Sequence, residues 1–132
     1  MTASEYLSRV KKIDHMIRNK VEEHQHWDSV ASGLVGASLG ERVQASRNLH
    51  KVADAIDKYI DIEAEIHALQ QERQEIISTI ERLPTEEYDL TYRLYVKGES
   101  MKELAYHFGK SYDWVKRKKS YALKLVQEML AE

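Results

Sequence analysis

The side chains with the clearest chemical potential in this chain are cations crowded near one end. Lys110, Lys116, Arg117, Lys119 and Lys124 stand close together, with Ser111, Tyr112, Asp113 and Ser120 between them. Lysine and arginine neutralise phosphate, and serine and tyrosine hydroxyls also bond phosphate oxygens. The planar fork of Arg117 can hold O6 and N7 of a guanine together. Asp113 can accept from a cytosine amino group or cap a helix. At ~100° per helical residue, Asp113, Lys116, Arg117, Ser120, Lys124 and Gln127 share one side. Trp114, Val115, Tyr121, Ala122, Leu125 and Met129 share the other. Lys118 falls in the middle of that apolar side, where it must snorkel or meet an open edge. The pattern predicts a surface for double-stranded DNA. Arg117 would read a base, Lys116 and Lys124 would neutralise phosphate, and Lys110 and Lys119 would flank them. The plainer alternative is a solvated face on which Arg117 pairs with Asp113, four residues earlier.

Those residues need a rigid mount, and the preceding stretch provides its signals. Ser100 and Glu103 have the S-x-x-E spacing of a capping box, which starts a helix. Leu104, Ala105 and Phe108 give that helix an apolar side. Gly109 supplies a left-handed residue to end it, and Ser111 can cap the next. Ala105, Gly109 and Val115 have the offsets of a helix-turn-helix, which puts the cations on the second helix. Upstream, Pro84 ends one helix and Thr85 opens another, with Glu86 and Glu87 at its positive end. Leu90, Leu94 and Tyr95 form its expected inner side, and Gly98 ends it. Tyr88, Tyr92 and Tyr95 could stack on unpaired bases, but their helical spacing favours packing.

The stretch from Leu83 to Leu123 resembles region 4 of the sigma-70-type factors. It is closer still to small phage and prophage proteins of Gram-positive bacteria, the ArpU-like regulators. The matching residues are Leu83-Pro84, Tyr95 with Gly98, Leu104-Ala105, Gly109, Ser111, Trp114-Val115, Arg117 and Ala122-Leu123. Lys110 and Lys118 depart from it, standing where such motifs usually carry an apolar residue. The N-terminal half is similar in length and heptad character only. The resemblance implies a transcription regulator of phage or prophage origin acting on late or packaging genes.

The N-terminal half reads as coiled coil. Thr2 to Glu5 is a second capping box. Tyr6, Val10, Ile13, Ile17, His24 and Trp27 recur at steps of about three and four, predicting a helix to about Ser32. The glycines from Gly33 to Gly40 predict a loop over about 33–41; without a Lys-Ser/Thr ending or a preceding strand, they do not make a phosphate cradle. A second helix should begin between Glu41 and Lys51 and run to Leu83. Arg42, Arg47, His50 and Lys51 form its basic entry. The expected architecture is all-α, an antiparallel helical hairpin over 1–83 followed by a helix-turn-helix over 84–132. A two-helix hairpin covers little of its own seam. Tyr59, Ile62, Ile66, Leu69, Ile76 and Ile80 are therefore expected to seek the C-terminal helices or a second copy in a two-fold homodimer.

Composition sets the outer limits. The chain has 132 residues, 42% hydrophobic and 32% charged, with one Pro and five Gly. That is the profile of a helix-rich protein. A net charge of −2 gives no overall pull towards nucleic acid, so DNA affinity must come from a local patch. The absence of cysteine excludes disulfides and cysteine-ligated zinc, and fits a cytoplasmic protein. No apolar run approaches the ~20 residues of a membrane span. His24 and His26 point to different sides of a helix, so a metal site is not expected, nor is any cofactor. No nucleophile stands beside a histidine–carboxylate pair, which argues against an enzyme. Two alternatives keep the same fold: a small-terminase-like packaging component, and a protein that contacts RNA polymerase or another host factor.

Overall fold

The computed structural model describes residues 1–37 and 42–132, apart from the side chains of residues 34–48. It is all-α, with α1 at Ala3–Ala37, α2 at Arg42–Glu81, α3 at Thr85–Thr91, α4 at Met101–Phe108 and α5 at Tyr112–Leu130. A π-helical turn, Tyr92–Val96, continues α3. The chain forms two compact units: residues 1–14 with 71–132, and residues 15–70.

The long helices start where the chain signals it. Thr2 Oγ1 accepts from the Glu5 amide at 3.1 Å and Glu5 Oε2 from the Thr2 amide at 3.4 Å, which is the full reciprocal box. Helix α1 runs on through Gly33 to Ala37, beyond the expected end at Ser32. A helical glycine costs only about 1 kcal/mol against alanine, which is too little to stop a long helix by itself. Helix α2 begins at Arg42, so the rest of the expected loop, residues 38–41, lies outside the described residues.

In the unit of residues 15–70, α1 and α2 pair antiparallel. Lys20 Nζ meets Glu65 at 2.6 Å, and the His24 ring stacks on Tyr59 with centroids 3.8 Å apart. Val52, Ala55, Ile62 and Leu69 are buried there. In the other unit the same antiparallel order continues. Tyr6 bonds Thr79 at 3.0 Å, Arg9 holds Glu72, and Arg73 Nε donates to Asp14 at 2.7 Å. The charged groups at Glu72 and Arg73 are thus interhelical pairs. Half-exposed pairs of this kind contribute about 0–1 kcal/mol each. Burial of Leu7, Val10 and Ile13, with Ile76 and Ile80, contributes more, about 1.5–3 kcal/mol per side chain.

The remaining helices of that unit close around Leu90, Leu104 and Val115, with Leu94, Met101, Ala105, Phe108 and Trp114 packed on them. One residue from each of α3, α4 and α5 makes this centre. The π turn ends at Val96; Gly98, two residues on, has a left-handed φ of 75°, and the Glu99 amide reaches back to the Arg93 carbonyl at 2.9 Å. Arg93 also donates to Asp89 at 3.0 Å and Glu99 at 3.2 Å, tying α3 to the start of α4.

Candidate nucleic-acid interface

Local bonds fix how α4 hands over to α5. Ser100 Oγ accepts from the Glu103 amide at 3.1 Å. At the far end of α4, Gly109 adopts φ 63°, ψ 35°. Its amide reaches the Tyr106 carbonyl at 3.2 Å, and the Lys110 amide reaches Ala105 at 3.0 Å. This pair of bonds is the Schellman closure. Ser111 Oγ then accepts from the Trp114 amide at 3.1 Å and opens α5. The cap is therefore Ser111, as its place before the helix suggested, and Asp113 sits in the first turn without capping. There its charge suits the positive end of the helix.

Val115, Ala122 and Val126 point into the unit, and that orients everything else on α5. Asp113, Lys116, Arg117, Ser120 and Lys124 are all exposed. Arg117 forms no ion pair with Asp113, and among the described residues Lys116, Arg117 and Lys124 meet no carboxylate within ion-pair distance. Ser120 turns its hydroxyl onto the Lys116 carbonyl at 3.1 Å. Lys110 is exposed, with Nζ 5.8 Å from the centroid of the Trp114 ring. Lys119 is half-buried and falls beside Val115, Ala122 and Val126 on the helix, so it does not share the face of Lys116 and Arg117 that the sequence pattern had it flank. Tyr112 is 52% exposed. Tyr121, grouped with the apolar side in sequence, is 48% exposed and borders a shallow groove with Trp114, Arg117 and Lys118.

Lys118, the misfit of the sequence pattern, is fully accounted for. Its Nζ lies 2.6 Å from Glu86 and 3.1 Å from Glu87, and 5.6 Å from the centroid of Trp114. Hydrogen bonds to Glu86 and then Glu87 raise its pKa above the ordinary lysine value. Glu87 is only 5% exposed, so Lys118 matches a nearly buried charge. The start of α3 and the side of α5 are thereby clamped. Sequence assigned these glutamates only to the helix end. No local pattern links residues 31 apart in the chain.

Two further placements bear on the site. Tyr106, on α4, is 91% exposed, although the sequence analysis assigned it no place. Its signal was present, since Leu104, Ala105 and Phe108 face inward and leave Tyr106 outward. The expected oligomerisation seam, by contrast, is largely covered within one chain. Ile62, Leu69, Ile76 and Ile80 are buried, and only Tyr59 and Ile66 keep partial exposure. A two-fold contact drawn on those residues has little surface left to bury. Among the described residues no group of His, Asp or Glu is arranged to hold a metal ion, and no helix is long and apolar enough to cross a membrane. No family model, curated protein or solved structure matches the chain.

Proposed function

We propose that this protein is a transcription regulator that binds double-stranded DNA through a helix-turn-helix formed by α4, the Gly109 turn and α5, as its resemblance to phage regulators implies. Helix α5 is the recognition helix. The observation that carries this reading is the division of labour among its cations. Lys118 is spent on Glu86 and Glu87, whereas Lys116, Arg117 and Lys124 stand exposed on one side without acidic partners. Arg117 has the geometry to read a guanine, and Lys116 and Lys124 to neutralise phosphate.

The test is a gel-shift series across salt, with the full chain on DNA around its own gene and on random DNA. Lys116→Ala should weaken both about equally and lower the salt slope by roughly one unit. Arg117→Ala should cost about 1–3 kcal/mol on the specific site and less on random DNA. Wild-type binding by both variants would remove α5 as the reading helix.

A further inference from the structure

Helix α2 carries two apolar rows in the unit of residues 15–70, and α1 covers one of them. The covered row includes Val52, Ala55, Ile62 and Leu69. The second is Leu49, Ala53, Ile56, Ile60 and Ala64, at steps of four, three, four and four. It lies about a third of a turn from the first, at ~100° per residue. It remains open: Leu49 is 64% exposed, Ile56 44% and Ile60 55%, and both alanines are exposed too. With a rise of ~1.5 Å per residue the row is about 22 Å long. Isolated surface apolar groups are ordinary, but five in one row at steps of three and four make an apolar stripe of the kind that packs on another helix.

The edges of the row say what can cover it. Asp57 and Asp61 line one edge, with Asp54 beyond them, and Glu63 lines the other. Asp54 and Glu63 keep 65% and 64% of their side-chain surface, although His50 and His24 lie 3.7 and 3.8 Å away. Lys51 and Lys58 share a groove with Asp54, Asp57 and Asp61 on the side away from the row, which leaves Asp57 and Glu63 as the acids nearest to it. A second copy is a poor occupant. Packed antiparallel, Asp57 and Asp61 would face their own counterparts; packed parallel, they would face Glu63. Acid meets acid in both arrangements, which is repulsive at the edges of a coiled-coil seam. An anionic lipid surface meets the same repulsion.

We infer that this row is a docking surface for an amphipathic helix of another protein, apolar at its seam positions and carrying lysine or arginine at the positions that flank them. The inference is independent of the DNA reading, because it concerns α2 residues outside the unit that holds α5. One helix of about four turns buries less than a standard interface, so the contact should be reversible.

A designed peptide serves as probe: a helix with leucine at seam positions and lysine at flanking ones. Its controls are the same helix with glutamate at the flanks and a lysine helix with scrambled leucines. With the isotope-labelled full chain, the lysine-flanked probe should bind and shift amide signals of Ile56 and Ile60, while both controls fail. Ile60→Asp should weaken that binding at least about tenfold, with helicity unchanged, as suits a half-exposed side chain. A D57K/D61K double variant should lose the lysine-flanked probe and take up the glutamate-flanked one, which keeps the test open if Ile60→Asp misfolds. Binding by the scrambled helix, shifts confined to other surfaces, or no binding would each overturn the inference. A wild-type dimer that Ile60→Asp makes monomeric would do so as well, naming a second copy as the occupant.

Discussion

A lysine set in an apolar helix face must be matched by charge or driven out to water. Lys118 is matched, and the match removes it from any DNA contact. The two roles are separable by experiment. Lys118→Met keeps the stem and deletes the ammonium, leaving the nearly buried Glu87 without its cation. The melting temperature should fall at neutral pH, while the salt slope of DNA binding stays at the wild-type value. A lowered slope instead would put Lys118 on phosphate. The pH dependence follows from the raised pKa. A cation whose folded pKa exceeds its unfolded one stabilises fully below the unfolded value and loses that effect as pH rises through the folded one. The gap between wild type and variant should therefore hold at neutral pH and close only above the ordinary lysine range. Sequence showed Lys118 to be out of place, since periodicity exposes a misfit. It could not show the partners, because Glu86 and Glu87 reach it only through tertiary packing.

Elements announced by a backbone need were legible, and those limited only by propensity were not. Gly109 was readable because ending α4 beside a capped α5 requires a left-handed residue, and its φ is 63°. Gly33 misled because glycine does not forbid a helix. The two glycines should respond in opposite directions to the same change. A Cβ at either would meet nothing within 4 Å, so conformation alone decides. Gly109→Ala should destabilise by about 1–2 kcal/mol, because the left-handed region is costly for alanine. Gly33→Ala should stabilise by roughly 0.5–1 kcal/mol, because it is a helix-interior site. Thermal melts of both variants check this. A stabilised Gly109→Ala would mean that the turn is not held left-handed in solution, and a destabilised Gly33→Ala that α1 ends before it.

At the scale of the molecule, the sequence pattern drew its boundary at Pro84, where one helix stops and another starts. The packing draws it elsewhere, inside the long helices. The first turns of α1 and the last turns of α2 belong with the C-terminal helices. The Ala3 amide donates to Gln127 Oε1 at 2.9 Å, Arg82 reaches Glu132 at 3.2 Å, and Tyr6, Ile76, Gln127 and Leu130 line one cavity. A heptad seam looks the same along its length in sequence, so nothing local marks where it changes partners. The consequence is that residues far from α5 in the chain should support it. Leu7 is fully buried, and Leu7→Ala should cost about 2–5 kcal/mol through lost transfer energy and the cavity left behind. The loss should appear in chemical denaturation as a lower midpoint for helix signal and Trp114 fluorescence together, with Trp27 replaced by Phe in both chains to isolate that signal. A fragment of residues 84–132 lacks Leu7, Val10, Ile13, Ile76 and Ile80 altogether, and should melt well below the intact chain. If the fragment keeps the midpoint of the intact chain, or if Leu7→Ala leaves the Trp114 transition in place, the C-terminal helices stand on their own and the boundary returns to Pro84.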